Sequence, residues 1–275
     1  MSQSRFAGRV AVVARACALR RRVREAPRVP QRILIAHHLL LGDTLMLTPL
    51  VAKLRARHPH ADVAMTVPRA IAPLYATRPY GVRALPFEPR ASLRRLFDEE
   101  PFDLALVPGD NRYAWLAAAM RARHIVAFAG ESPRKNWPVD RLVPYDTTPA
   151  AWGDLVARLV DGPPPRAYRP SDWAPPSYRP FERPLERYAV LHVGASSPLK
   201  RWLPERWRAL ADALAARGVT PVWSVGPGEE ALVGAADPER RFRAYAGTLD
   251  LAQLWHLLQR ADLLVAPDTR SESVV

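Results

Sequence analysis

Two short loops carry the residue types best suited to chemistry. The first, Ala195-Ser196-Ser197-Pro198-Leu199-Lys200, sets two hydroxyls and one lysine after Gly194. Such a loop can hold a phosphate-bearing ligand, with hydroxyls and backbone N–H groups on the phosphate oxygens and the ammonium as counter-charge. An ordinary βα loop with a solvated lysine is the other reading of the same residues. Only three of the 40 basic residues are lysines (Lys53, Lys135 and Lys200), so a lysine here suggests that a compact point charge is wanted. The second loop ends in Leu41-Gly42-Asp43, a carboxylate just beyond an apolar run. Asp43 there either stands at the carboxyl end of a strand, where α/β sheets place their ligands, or caps a helix.

Both loops need a strand before them and a helix after. Residues 188–193 form an apolar run typical of a buried parallel strand. Pro204 suits a first helical turn, Trp207, Leu210, Ala211 and Leu214 follow at helical spacing, and Gly218 closes the helix. Ahead of Asp43, residues 32–36 read as a strand. Thr48-Pro49 reads as an N-cap and N1 proline, so the next helix begins there, or begins near Asp43 and kinks. Strands are predicted over 62–67, 82–87, 103–107 and 124–128, alternating with helices over 69–77, 92–99, 113–121 and 150–160. A long loop holding Arg134 to Trp137 follows residue 128. Beyond residue 184, strands over 220–225, 242–245 and 263–266 alternate with helices over 204–217, from 229, and over 251–260. This alternation predicts an α/β chain whose parallel sheets are covered on both faces.

Residues 161–184 hold eight prolines in 24 positions, which predicts a stiff, extended linker. The expected organisation is a basic extension over 1–31, one domain over 32–160, the linker over 161–184 and a second domain over 185–275. A chain of 275 residues is comfortable for two cores. Its single cysteine, Cys17, excludes an intrachain disulfide framework and a cysteine-based zinc site. A reduced, cytoplasmic setting fits.

The formal charge of +13 is concentrated at the start. Residues 1–32 carry nine arginines and one glutamate, while the other 243 residues carry a net of only +5. The body therefore lacks the footprint of a nucleic-acid binder, and no nucleic-acid partner is expected. Arg15 and the Arg20–Arg22 cluster rule out a secretory signal in the leader, which is also too short and charged to span a bilayer. A basic helix on an anionic membrane surface is one reading of it, and a frayed extension, the favoured one, is the other. Nothing calls for a cofactor. No Asp-x-Asp occurs, and no zinc-ligand cluster, Gly-x-Ser-x-Gly elbow or dinucleotide Gly-x-Gly-x-x-Gly is present.

Four stretches in order carry a family resemblance. RILIAHHLLLGDTLMLTPLVAKLRARHP resembles the opening of the bacterial lipopolysaccharide heptosyltransferases, glycosyltransferase family 9. YAVLHVGASSPLKRWLPERWRALADAL resembles their nucleotide-side motif, and WSVGPGEE and LLVAPDT follow in the family's order. The similarity runs from Arg32 to Thr269. It implies two Rossmann-like domains in the GT-B arrangement, an acceptor domain first and a nucleotide-sugar domain second. It further implies inverting, metal-independent transfer of a heptose from ADP-heptose to a lipid-linked lipopolysaccharide core oligosaccharide. The enzyme would be cytoplasmic, with the inner face of the inner membrane as its peripheral contact.

Carried over residue by residue, Asp43 matches the catalytic base, and Gly42 stands beside it in the substrate-binding motif. Ser196, Ser197 and Lys200 match diphosphate contacts. Glu229 or Glu230 matches the carboxylate on the ribose, and Asp268 and Thr269 match the start of a final phosphate loop. These roles suit the chemistry. A sugar hydroxyl is a poor nucleophile until a carboxylate takes its proton, and a lysine steadies the departing diphosphate.

Two departures stand out. His37 and His38 lie near a position where the family usually has Arg. After Asp268-Thr269 the chain reads RSESVV, with Arg270 where the family has Gly. That pattern is expected of a truncated or frameshifted reading frame, its second domain incomplete and exposing apolar surface. The alternative function is then an inactive remnant keeping at most nucleotide binding.

Overall fold

Strands that lie beneath helices on both faces are apolar along their whole length, and this chain has two sets of them. The computed structural model describes residues 5–20, 25–89, 93–184, 186–195 and 197–267. The chain divides into two compact units, Met1–Ala174 and Pro175–Val275.

Unit 1 holds six parallel strands: β1 (Arg32–Ile35), β2 (Asp62–Pro68), β3 (Val82–Phe87), β4 (Leu104–Val107), β5 (His124–Phe128) and β6 (Arg141–Val143). Their order is β3-β2-β1-β4-β5-β6. Ile33, Leu34 and Ile35 of the central β1 are fully buried. The order reverses between β1 and β4, so the loops leaving those strands diverge and open a crevice at the carboxyl edge. Around the sheet lie α1 (Arg5–Leu19), α2 (Leu41–Leu45), α3 (Thr48–Arg57), α4 (Arg94–Phe97), α5 (Arg112–Ala119), α6 (Pro133–Asn136) and α7 (Trp152–Val156).

Several elements differ from expectation. The helix expected over 69–77 is one 3-10 turn, Ala72–Tyr75, with Pro73 at its start and Pro79 shortly after its end. Strand β6 and helix α6 occupy the expected long loop, and each is too short to show a period. Thr48 does not cap α3: its hydroxyl donates to the Leu45 carbonyl at 2.6 Å, and Leu47 takes the cap position. The helix after β1 therefore begins near Asp43 and breaks at Met46–Leu47.

The expected frayed extension is instead a docked helix. Ala16 of α1 is fully buried in the unit 1 core, and Gly8 brings the helix close to the Pro89 carbonyl. Arg15 donates to the carbonyls of Ala119 (2.9 Å) and Phe97 (3.3 Å), the last residues of α5 and α4, and so satisfies C-terminal acceptors that have no partner within their own helices. Arg20 pairs with Asp140 and donates to the Pro138 carbonyl, with both charged side chains nearly inaccessible. Arginines that read as a solvated tail are thus spent on carbonyls and a carboxylate some 80 to 120 residues away.

The Pro-rich stretch is not a free linker either. A 3-10 turn, Pro170–Asp172, leads into buried Trp173, whose ring lies 5.1 Å from Tyr75 and whose indole N–H donates to the Leu74 carbonyl. On the unit 2 side, Tyr178 stacks 3.9 Å from His256, and Phe181 packs beneath the second sheet. Aromatic side chains between the prolines anchor each half to its own unit.

Unit 2 holds β7 (Tyr188–His192), β8 (Thr220–Val225), β9 (Ala244–Ala246) and β10 (Leu263–Val265), parallel and ordered β10-β7-β8-β9. Its helices are α8 (Pro204–Ala215), α9 (Glu230–Ala236) and α10 (Leu251–Leu258). Alternate strand residues feed two cores. Leu191, Val193, Trp223 and Val225 meet Trp207 and Ala211 on one face, while Tyr188, Val190 and Val222 meet Leu257 on the other. Gly218 ends α8 at φ +73°, a conformation that favours glycine. Asp250 and Gln253 form a capping box on α10. Asp237 is buried and accepts from the Trp223 indole and the Arg241 and Phe242 N–H groups. Burial would raise this carboxyl, but those donors outweigh it and hold it below its ordinary value. Leu263 and Leu264 on edge strand β10 are 43% and 48% exposed.

Candidate active site

In unit 1 the crevice loops are built on buried polar contacts. The backbone N–H of His37 donates to the Thr66 hydroxyl (2.9 Å), which donates to the His37 carbonyl (2.8 Å). The His37 ring is fully buried and its Nδ1 accepts from the Leu39 N–H. Burial, and secondarily the neighbouring His38, push this imidazole down to about 3, so it is neutral. His37 thus shapes the turn, while His38 is half-buried, 3.7 Å from Glu88 and edge-on to Phe87.

Asp43 follows at the third position of α2, half-buried, with Gly42 exposed beside it. It is not the helix cap: Leu40 holds that place without a side-chain bond. What fixes α2 is its buried neighbour Thr44, whose hydroxyl donates to the Leu40 carbonyl and whose own carbonyl accepts from Tyr75. Burial raises the Tyr75 phenol, so it remains a donor.

Across the crevice, buried Asn111 donates to the Phe128 carbonyl (2.8 Å) and the Asn136 side chain (2.7 Å), tying the loop after β4 to the loop after β5. Asp110 accepts from the Arg112 N–H and from Lys135, which also meets Glu131. Burial works to raise the Asp110 carboxyl, and these cationic and N–H partners hold it low.

In unit 2 the carboxyl edge is built on glycines. A Cβ on Gly194 would stand 2.2 Å from Glu229 Oε2, so only glycine lets that carboxylate lie against the end of β7. The same oxygen accepts from the Gly226 N–H at 3.3 Å. Arg201 donates to the Ala195 carbonyl and approaches Glu229 at 3.7 Å. His192 is lowered by burial, against an opposing pull from Glu229, and its Nδ1 lies 3.3 Å from the Ser224 hydroxyl. Glu230 instead accepts from the Gly228 N–H, which lowers its carboxyl.

Ser197 precedes the 3-10 turn Pro198–Lys200, which carries Lys200. The loop therefore brings Ser197, Lys200 and Arg201 onto the edge where Glu229 lies. Ser196, Asp268 and Thr269 lie outside the described residues. Arg201 is a candidate that sequence reasoning passed over, although it stands next to Lys200 in the Lys-Arg-Trp motif. Among the described residues no group of three or more His, Cys, Asp or Glu side chains converges. No described helix is long and apolar enough to cross a membrane.

Two parallel-sheet units, each with candidate residues at its carboxyl edge, are the architecture of the GT-B fold class. Solved structures agree on the fold. The glycosyl transferase family 9 structure from Veillonella parvula is 15% identical, covering 88% of this chain and 76% of that one, with a TM-score of 0.69. E. coli heptosyltransferase WaaC, solved with ADP, is 18% identical over 86% and 82% of the two chains, TM-score 0.68. E. coli ADP-heptose lps heptosyltransferase II is 20% identical over 87% and 79%, TM-score 0.68. No curated protein matches the sequence. The family model described as glycosyltransferase family 9 (heptosyltransferase) matches residues 90–270. The chain belongs to that family.

Proposed function

We propose that this glycosyltransferase moves a heptose from ADP-heptose to a lipopolysaccharide core acceptor, with inversion and without a metal ion. One observation carries the reading: each unit offers the right kind of group at its carboxyl edge. Unit 1 holds the Asp43 carboxylate beside the β1/β4 crevice, and unit 2 holds Lys200, Arg201 and Glu229 beside the end of β7. Asp43 takes the proton of the acceptor hydroxyl as the hydroxyl attacks the anomeric carbon from the face opposite the diphosphate. ADP leaves with both electrons of the broken C–O bond, and Lys200, Ser196 and Ser197 steady the charge it gains. Asp268 and Thr269 add phosphate contacts. Glu229, rather than Glu230, accepts from the ribose hydroxyls, because its carboxylate lies at the strand end, whereas Glu230 is turned to the Gly228 N–H.

The enzyme works on the cytoplasmic side, peripheral to the inner membrane. A lipid-linked acceptor held in that membrane would bring the enzyme to it. The test is ADP release from ADP-heptose with a heptose-deficient core acceptor, in EDTA, with the anomeric configuration of the product read by NMR. ADP formed in step with an inverted product is expected; no ADP above background, or activity abolished by EDTA and restored by a divalent ion, contradicts the proposal.

A further inference from the structure

A cleft of ≈ 940 Å³ opens at the carboxyl edge of unit 1. Its polar lining comes from His38 after β1, Glu88 after β3, Lys135 of α6, Arg112 at the start of α5 and Arg9 of α1. Arg112 and Lys135 are held by Asp110 and Glu131, so cations and carboxylates stand side by side. That mixture suits a polyhydroxyl ligand, whose groups both donate and accept, better than a simple anion. The apolar lining comes from Phe87, from Leu116 of α5, and from Val12 and Val13 of α1. Helix α1 lies outside the span matched by the family model, residues 90–270. It is fixed in place by Ala16, Arg15 and Arg20, so its edge is a permanent wall.

We propose that α1 forms part of the acceptor site, the edge made by Gly8, Val12 and Val13 taking the apolar portion of a sugar acceptor whose hydroxyls meet the polar side. This rests on the reading above, in which the donor is bound by unit 2 residues and the unit 1 edge is left to the acceptor; Asp43 does not line the cleft, which therefore takes a part of the acceptor other than the attacking hydroxyl. The volume is at the upper end of ordinary ligand pockets, enough for a sugar with an apolar group attached. An α1 wall selects amphipathic acceptors over bare sugars, because a bare sugar leaves the valines facing water.

Kinetics on the full chain test this. Val13→Asp should raise the KM for an acylated core acceptor about tenfold while leaving the KM for ADP-heptose unchanged. Val10→Asp is the control, on the same helix and 50% exposed but away from the cleft; its acceptor KM should stay at the wild-type value. An unchanged acceptor KM in Val13→Asp, or an equal rise in Val10→Asp, overturns the proposal.

A second readout does not need turnover. Exposed Cys17 is the only cysteine, so an environment-sensitive fluorophore attached there reports on α1 alone. Titration with dodecyl maltoside below its micelle concentration should give a saturable shift that maltose does not, and that Val13→Asp abolishes. Should the wild type release no ADP, the functional reading falls and this titration decides the cleft: no saturable shift overturns it.

Discussion

The two carboxyl edges are made in opposite ways. In unit 1 the edge is held from below, by His37 against Thr66, Thr44 against Leu40 and Tyr75, and Asn111 against Phe128 and Asn136. Most of these groups are buried, so each lost partner leaves a polar atom stranded. In unit 2 the edge is held from above, by charged side chains over glycines: Glu229 on Gly194 and Gly226, with Arg201 alongside. The difference teaches where mutation should be felt. Unit 1 edge changes should cost stability unless they touch Asp43 itself, whereas unit 2 edge changes should cost donor binding and leave the fold intact.

The sharpest break of that contrast is at the anchor of α1. Removing Arg20 leaves the buried Asp140 carboxylate without its cation and with only the Ile125 N–H as donor among the described residues, so Arg20→Ala should lower stability by about 3–5 kcal/mol in denaturant titration. A loss under about 1 kcal/mol would mean α1 is a surface attachment. Close behind stands Lys200→Ala, which should lower kcat by about 10²–10³ with an unchanged melting temperature. Thr66→Val strands the His37 N–H and should cost about 1–3 kcal/mol, read by melting. Gly194→Ala should be milder for the fold, because the new methyl meets the flexible end of Glu229 rather than backbone. It should raise the ADP-heptose KM and leave the acceptor KM alone; a large drop in melting temperature instead would erase the distinction between the two edges.

A further effect is one of pH, felt only on the acid side of neutrality. In the unfolded chain His37 takes a proton near its ordinary 6.5, but in the fold only at about 3. The stability carried by the neutral ring is therefore complete above pH 6.5. It declines as pH falls from 6.5 towards 3, by at most about 1.4 kcal/mol per pH unit. His37→Gln should flatten that part of the stability profile, and an unchanged slope would assign the acid sensitivity elsewhere.

How much of this was legible in the sequence follows from the range of the forces involved. Strands such as 188–193 and 220–225 and the helix from Pro204 are local matters of periodicity, capping and Gly218, and they lie where the spacing predicts. Asp43 and Lys200 could be picked out because each follows an apolar run, Asp43 after Gly42 and Lys200 in a loop of small hydroxyl residues. The docking of α1 could not, because its determinants are carbonyls of Phe97, Ala119 and Pro138, acceptors present in every residue and specified only by the fold. Trp173, Tyr178 and Phe181 were visible among the prolines, yet their partners Tyr75 and His256 are remote in sequence. His37 and His38 are neighbours with one residue type and opposite roles, a difference made by burial alone.

The central claim is that Asp43 takes the acceptor's proton while unit 2 residues hold the donor. Single-turnover ADP release by Asp43→Asn, alongside its affinity for ADP, tests it most directly. The account predicts a rate lower by about 10²–10⁴ with ADP affinity unchanged. A rate within a few-fold of wild type, or an equal loss of ADP affinity, would contradict it.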